Sequence, residues 1–176
     1  MEVTFAPNEH LQIDDARIAW RNFEGRETEF NRAGDRNFSL VIEDQEFADA
    51  LVERGWNVKV RPPREEGGDQ FIHLPVKVKF GVRPPVIKLV RQGLRPIELD
   101  EESVKCLDHM DIERIDMDIR PFDWVINEGK PSEKRGRAAY LQTMYVVQSV
   151  NRFAERYEHP IDDEPPFDID EISYNR

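Results

Sequence analysis

The stretch from residue 71 to 80 most constrains the fold, because apolar and polar side chains alternate along it. The odd positions carry the aromatic and basic side chains Phe71, His73, Lys77 and Lys79. A repeat of two residues predicts a β-strand with one face in a core and a basic, aromatic face turned outward. Pro75 interrupts the strand and indicates an edge or a bulge, because proline has no N–H to donate.

Comparable patterns elsewhere predict a β-rich chain. Further strands are expected at residues 17–23, 36–42, 56–60, 86–91, 112–126 and 138–150. Asp44 is placed to cap a short helix that ends at Gly55, and residues 100–110 are predicted to form an acidic helix. Together these elements predict a mainly β protein: a small, mostly antiparallel barrel with one or two short helices inserted.

The odd or even numbering of side chains predicts one detail in each of the last two strands. In the strand at residues 112–126, the apolar positions change from odd to even after Ile119, which predicts a bulge or bend at Pro121. In the strand at residues 138–150, Tyr140 has an even number and Tyr145 an odd one, so the two rings are expected on opposite faces. Between the two strands, residues 128–137 are expected to form a basic loop.

The chain is long enough for one ordinary domain with terminal extensions. Residues 1–15 show no periodicity and are expected to be a flexible leader. Residues 16–156 are expected to form the folded domain. Residues 157–176 are acidic and interrupted by proline, which predicts a disordered tail.

The formal net charge of −11 would by itself argue against contact with nucleic acid. Its distribution changes that conclusion, because residues 17–95 carry fifteen bases against twelve acids and residues 119–156 carry seven bases against four acids. The predicted tail carries seven acids and one base. Since local patches govern contact with phosphate, the β-rich parts remain candidates for a nucleic-acid surface.

Basic side chains interleave with aromatic ones along three stretches. Cations neutralise a phosphate backbone and aromatic rings stack on unpaired bases, so the combination predicts binding of single-stranded nucleic acid. The candidate DNA-binding residues are Arg21, Phe23, Arg26, Arg32, Phe71, Lys77, Lys79, Phe122, Trp124, Lys130, Lys134, Arg135, Arg137 and Tyr140. Trp20 and Phe38 share the parity of neighbouring apolar residues and are instead expected in the core.

Simpler explanations exist for some of these residues. Lys77 and Lys79 would equally protect the edge of an exposed strand, and the basic loop would equally be a solvated turn. Asp116 and Asp118 lie on one face of a predicted strand, where a nuclease could bind Mg²⁺, but no third carboxylate is visibly placed with them. A metal-dependent nuclease is therefore a minor alternative.

Other classes of site have little support in the sequence. The single cysteine excludes an internal disulfide and a cysteine zinc cluster, and the four histidines are scattered. No glycine-rich phosphate-binding motif occurs. We therefore expect no cofactor, no metal site and no enzymatic activity. No apolar stretch reaches membrane-spanning length and no secretory signal is visible, so a cytoplasmic location is expected.

Five segments carry a more specific signal: ARIAWRNFEG (16–25), FNRAGDRNF (30–38), LVERGWNVK (51–59), IRPFDW (119–124) and KRGRAAYLQTMY (134–145). Together they resemble a family of phage-encoded single-stranded DNA-binding proteins. The likeness spans about residues 16 to 150. It implies an OB-fold barrel in which the loop at 128–137 embraces DNA, and a role in coating single strands during phage replication and recombination.

The acidic tail is also similar in kind to the ends of bacterial single-stranded DNA-binding proteins, where a terminal Pro-Phe binds partner enzymes. Here nine residues follow Phe167, so the tail is expected to compete with DNA rather than to dock by its carboxylate. The candidate tail residues are Asp162, Asp163, Glu164, Phe167, Asp168 and Asp170. The main alternative to DNA binding is a β-rich phage interaction or structural protein that uses this tail to bind a partner.

Overall fold

A computed structural model describes residues 1–150 of the chain. This part contains ten β-strands, one α-helix and one 3-10 helix. The strands are β1 (Glu2–Phe5), β2 (Leu11–Asp14), β3 (Ile18–Asn22), β4 (Arg36–Ile42), β5 (Lys59–Arg61), β6 (Phe71–Val78), β7 (Val86–Val90), β8 (Ile97–Leu99), β9 (Ile112–Ile126) and β10 (Lys134–Gln148). The helices are α1 (Gln45–Glu53) and the 3-10 helix (Val104–Asp108). Within residues 1–150, no helix has the length and apolarity needed to cross a membrane.

The strands form one sheet in the order β1-β2-β9-β10-β6-β4-β3. Alongside this path, β5 pairs with β6, and β7 pairs with both β10 and β8. Most pairs are antiparallel, but β10 runs parallel to β6 and to β7. The short parallel contact of β10 with β6 joins two antiparallel groups of strands. The mainly β prediction is confirmed, with two parallel pairings that the antiparallel expectation did not include.

The alternation predicted for residues 71–80 is present in β6. Its inward side chains are buried in the core, and they are Ile72, Leu74, Val76 and Val78. Pro75 pairs with Ser39 of β4 on one side. On the other side of β6, the pairing with β5 ends at His73 and the pairing with β10 begins at Val76. Pro75 lies in the gap between them, where a residue without an N–H is tolerated.

Helix α1 begins and ends where the sequence predicts. The carboxylate of Asp44 accepts a hydrogen bond of 2.8 Å from the backbone N–H of Glu46. Gly55, just after the helix, has a φ of +80°, the left-handed conformation that glycine adopts without steric cost. The predicted acidic helix is instead a short 3-10 helix, whose Val104 and Leu107 are buried.

Residues 1–15 differ from the flexible leader that the sequence suggested. They contain the β1–β2 hairpin, in which Leu11 and Ile13 are buried. Strand β2 also pairs with β9, at Leu11 opposite Ile119. Each of these strands has only four residues, too few for an alternating pattern to stand out.

Strands β9 and β10 form a hairpin of two fifteen-residue arms. Pro121 pairs regularly with Ala139, so the predicted bulge at Pro121 is wrong. The register shifts instead at Gln142 of β10, and again between the pairs Arg114–Val147 and Ile112–Gln148. The shift at Gln142 places Tyr140 and Tyr145 on the same, outward side of β10, against the predicted opposite faces. The connecting turn is also shorter than the predicted loop, because β9 continues to Ile126 and β10 begins at Lys134.

The predicted acidic tail and the domain boundary at residue 156 lie outside the described residues. Both stay predictions from the sequence.

Candidate nucleic-acid interface

The outer face of β6 continues onto β10 through the pairing of Lys77 with Tyr140. Three cations lie around the Tyr140 ring. The Nζ atoms of Lys77 and Lys79 are 5.9 and 5.8 Å from the ring centroid, and the Arg120 guanidinium carbon is 4.8 Å from it. At this range cations are attracted by the ring's π electrons. Phe122 completes the cluster, with its ring centroid 5.4 Å from that of Tyr140.

An open groove of about 390 Å³ lies beside this cluster. Its lining consists of Lys79, Gly81, Val82, Arg83, Arg120, Phe122 and Tyr140. None of the three basic residues in this lining forms an ion pair with a carboxylate of residues 1–150. The buried Nε of Arg120 also has no hydrogen-bond partner in this part of the chain. Unpaired cations around a concave surface favour an anionic ligand such as phosphate.

The β9–β10 hairpin extends the aromatic surface beyond the groove. Phe122 lies opposite Ala138, and Trp124 lies opposite Gly136. Both rings face the side that carries Tyr140, because side chains two residues apart on a strand share a face. Phe122 is 49% exposed and Trp124 is 36% exposed. The small residues opposite them leave these rings open to solvent.

Arg137 lies on the other face of the same hairpin. Its guanidinium donates hydrogen bonds of 2.7 and 2.9 Å to Asp123 and one of 3.1 Å to Glu9, and its carbon lies 5.6 Å from the centroid of the Trp56 ring. The hydrogen bond from Arg137 holds the pKa of Asp123 below its ordinary value. Arg137 therefore anchors the hairpin to the β1–β2 turn, an arrangement that does not favour its predicted contact with DNA.

Trp20 and Phe23 exchange the positions that the sequence predicted for them. Phe23 is fully buried, with its ring stacked 5.5 Å from that of Phe38, so it cannot stack on a base. Trp20 is 48% exposed rather than in the core. The physical reason is a bulge, in which Trp20 and Arg21 of β3 oppose the single residue Phe38 of β4. Trp20 has a φ of +49° there.

Trp20 packs on the other end of the outer face of β6. Its ring centroid lies 4.8 Å from that of Phe71 and 4.9 Å from that of His73, and the Arg61 guanidinium carbon lies 4.5 Å above it. Lys59 and Arg61 of β5 are the pairing partners of His73 and Phe71. Burial, followed by the charges of Arg61 and Lys59, lowers the pKa of His73. We call Trp20, Phe71, His73 and Arg61 the Trp20 cluster.

The remaining predicted basic residues are dispersed. Arg21 points away from the sheet face, since its Nη1 donates hydrogen bonds of 2.8 Å to the carbonyl oxygens of Leu107 and Met110. These hydrogen bonds do not favour its predicted contact with phosphate. Arg26 and Arg32 are exposed on the loop between β3 and β4, and the Arg26 guanidinium lies 3.6 Å from Glu24.

The hairpin tip carries the other predicted cations. Lys130 is exposed in the turn, and Lys134 and Arg135 are exposed at the start of β10. Arg135 forms an ion pair with Glu133. The structure thus gathers Lys77, Lys79, Phe122, Trp124 and Tyr140 on one surface, with Phe71 further along the same face of β6.

Sequence reasoning missed Arg120, Arg83 and the residues around Trp20. Arg120 had a detectable signal, because it shares the parity of Phe122 and Trp124 along an unbroken strand. The wrongly predicted bend at Pro121 hid that relationship. Arg83 has no such signal, because it lies in a loop whose position only the folded chain defines.

The two carboxylates of the nuclease alternative already have partners. Asp116 accepts hydrogen bonds from Arg114 Nε at 3.0 Å and from the Asp15 N–H at 2.8 Å, and Asp118 lies 2.8 Å from His10 Nδ1. Within residues 1–150 no group of three or more histidine, cysteine or carboxylate side chains is placed to hold a metal ion. No observation in this region favours the nuclease alternative.

Solved structures with a similar fold come from a bacteriophage. "Single-stranded DNA-binding protein from bacteriophage Enc34 in complex with ssDNA" superposes with a TM-score of 0.54 at 10% identity, covering 85% of this chain and 92% of that one. "Single-stranded DNA-binding protein from bacteriophage Enc34" gives a TM-score of 0.51 at 11% identity, covering 87% and 88%. At these identities the likeness shows the fold alone, and it confirms the predicted OB-like, mainly β class.

No curated protein matches the sequence. Residues 1–174 match the family model described as "Putative phage ssDNA-binding domain". Because this match covers nearly the whole chain, the chain belongs to the family of phage single-stranded-DNA-binding domains.

Proposed function

We propose that the chain binds single-stranded DNA, without enzymatic activity, along the surface that runs from the end of β6 to the β9–β10 hairpin. We call this surface the binding strip; it consists of Lys77, Lys79, Arg83, Arg120, Phe122, Trp124 and Tyr140. The observation that carries the proposal is the Tyr140 ring, which has three cations around it, none of them in an ion pair with a carboxylate of residues 1–150.

The chemistry of the strip suits an unpaired strand. Its cations would neutralise phosphates and release counterions, which makes affinity depend steeply on salt. Its exposed rings would stack on bases at about 1–3 kcal/mol per base, and a duplex hides the base faces that such stacking needs. Ring contacts do not distinguish one base edge from another, so the binding would tolerate any sequence.

This chemistry supports a role in coating single strands when phage DNA is opened for replication or recombination in the host cytoplasm. Membership of the phage family supports the same role. Replication or recombination proteins would then be the natural partners of the acidic tail.

The tail would also regulate binding. Residues 157–176 carry seven acids and one base, and a polyanion that reached the binding strip would compete with phosphate for the same cations. Deletion of residues 158–176 should therefore tighten DNA binding, most strongly at low salt. Unchanged affinity after the deletion would leave the tail with a solubilising or partner-binding role only.

The test compares single-stranded oligo-dT with a duplex of equal length, across a salt series, with and without Mg²⁺. The wild-type chain should bind the single strand more tightly, lose affinity steeply with salt and leave the DNA intact. Tyr140→Leu should weaken binding at least fivefold, the lower end of a stacking contribution of about 1 kcal/mol. Tyr145→Leu is the matched control, because Tyr145 is 44% exposed on β10 but lies opposite Asp116.

Each contrary outcome points to a different function. Absence of salt-sensitive binding, together with a stable protein complex, would favour an interaction or structural protein. Degradation of the DNA only with Mg²⁺ would favour a nuclease. Equal affinity for single strand and duplex would contradict the stacking contribution of the strip.

A further inference from the structure

The bulge in β3 holds Trp20 in a conformation that the local sequence does not favour. A positive φ is rare for a bulky residue, and it persists only where surrounding contacts enforce it. Here the next residue, Arg21, is fixed by two hydrogen bonds to the carbonyl oxygens of Leu107 and Met110. The following Phe23 is fixed by its buried ring and by a hydrogen bond of 2.7 Å from its N–H to Asp108.

This enforced conformation exposes the indole rather than burying it. Phe71 and His73 meet the indole edge-on, at interplanar angles of 62° and 83°, and so support it from the side. The Arg61 guanidinium lies above the ring. Neither Arg61 nor its neighbour Lys59 forms an ion pair with a carboxylate of residues 1–150. Indole and guanidinium planes are surfaces on which unpaired bases stack.

The Trp20 cluster lies on the same sheet face as the binding strip but at the other end of β6. Phe71 and Lys77 share a face because both have odd numbers along a regular strand. They are six positions apart, which corresponds to about 20 Å along the strand. One single strand that follows β6 would therefore pass from the Tyr140 end to the Trp20 end.

We propose that Trp20, with Arg61 and Lys59, forms a second stacking subsite for single-stranded DNA, which a strand reaches only when it is long enough to extend along β6 from the binding strip. This inference rests on the proposed function, since it assumes that the strip holds the other part of the same strand. Two subsites on one strand add their contributions, so affinity should rise again once the DNA spans both.

The subsite can be observed directly because the chain has three tryptophans, one at each informative place. Trp20 reports the proposed subsite, Trp124 reports the binding strip, and Trp56 is buried and serves as the reference. The full chain is labelled with 5-fluorotryptophan, and Trp20→Phe and Trp124→Phe assign the ¹⁹F resonances. Oligo-dT probes of about 4 and about 16 nucleotides cover the range of site sizes known for one OB-fold.

The long probe should shift the resonances of both Trp20 and Trp124, and the short probe mainly that of Trp124. Trp20→Gly removes the ring and introduces a residue that adopts a positive φ without strain. It should weaken binding of the long probe about tenfold and binding of the short probe less than about twofold. Trp20→Phe should recover part of the loss, since it restores an aromatic ring.

Two outcomes would overturn the subsite. In the first, the long probe shifts the resonance of Trp124 but not that of Trp20. In the second, Trp20→Gly weakens binding of both probes equally, which would mean that the variant disturbs the binding strip through the fold. If neither resonance moves and neither probe binds, the proposed function itself fails.

Discussion

The indole of Trp124 lies directly over Gly136, its partner across the β9–β10 hairpin. A Cβ atom added to Gly136 would lie 2.4 Å from Cζ2 and 2.7 Å from Cε2 of the indole. Glycine at position 136 therefore lets the large ring rest on the backbone of the opposite strand. The ring is held in place for stacking without being buried.

Gly136→Ala should weaken binding to single-stranded DNA by about two- to tenfold, because the methyl group displaces an indole that contributes up to about 1–3 kcal/mol. The unfolding free energy should change by less than about 1 kcal/mol, since the displaced ring can turn into solvent. Fluorescence anisotropy of a labelled oligo-dT measures the affinity. In a Trp124→Leu background, Gly136→Ala should not weaken DNA binding further. An equal loss of affinity in both backgrounds would mean that the substitution does not act through the indole.

Arg120→Gln should lower the slope of log affinity against log salt by about 0.7, the value for one phosphate contact on a single strand. Arg120 is the cation nearest the Tyr140 ring, at 4.8 Å. Lys105→Gln is the charge-matched control, because Lys105 is exposed on the 3-10 helix, outside the binding strip. Identical salt slopes for the two variants would mean that Arg120 does not contact a DNA phosphate.

Arg137→Gln should leave the salt slope unchanged, since Arg137 is already paired with Asp123 and Glu9 on the other hairpin face. It should lower the unfolding free energy by about 1 kcal/mol, as expected of an ion pair whose two carboxylates, on Glu9 and Asp123, are exposed to solvent. A full change of slope, equal to that of Arg120→Gln, would instead place Arg137 on the DNA.

The stabilisation from this pair should depend on pH in a defined direction. The pKa of Asp123 is lowered in the folded chain, so its stabilising contribution is present above the ordinary carboxyl value of 3.8 and is lost as pH falls through the lower folded value. Chemical denaturation from pH 7 to pH 3 measures the difference between wild type and Arg137→Gln. That difference should shrink below about pH 4; a difference that grows on acidification would contradict the assignment.

His73 should make the fold sensitive to mildly acidic pH. Its pKa is lowered by burial and by Arg61 and Lys59, so the unfolded chain binds its proton more readily than the folded chain does. Stability should therefore fall as pH decreases below the ordinary histidine value of 6.5. Thermal melts between pH 7.5 and pH 5 should show a smaller decline for His73→Gln than for wild type, and identical declines would exclude His73 as the cause.

Regular alternation made much of the fold predictable. The bounds of β4 and β9 agree with the predicted strands, and Asp44 caps α1 as its side-chain chemistry suggests. Such elements are encoded by neighbours in sequence, so a local pattern is enough to find them. The four-residue strands β1 and β2 carry no such pattern, and only their pairing with each other and with β9 stabilises them.

The candidate site was harder to predict because two irregularities change which face a side chain occupies. The bulge at Trp20 exposes an indole that the alternating pattern predicted in the core. Phe23, which follows the bulge, is buried although the pattern predicted it on the surface. The bulge at Gln142 turns Tyr145 outward. A shift of one residue reverses every later side chain on a strand, and the contacts that fix these shifts, such as those of Arg21, come from distant parts of the chain.

The central claim is the location of DNA on the binding strip, and photocrosslinking tests it most directly. An oligonucleotide that carries 5-iodouracil crosslinks to aromatic side chains in contact with its bases, and mass spectrometry of the digested complex identifies the peptides. We expect crosslinks at Phe122, Trp124 or Tyr140 in the wild-type chain at low salt. Crosslinks confined to other segments, such as the loop that carries the exposed Phe30, would contradict the account.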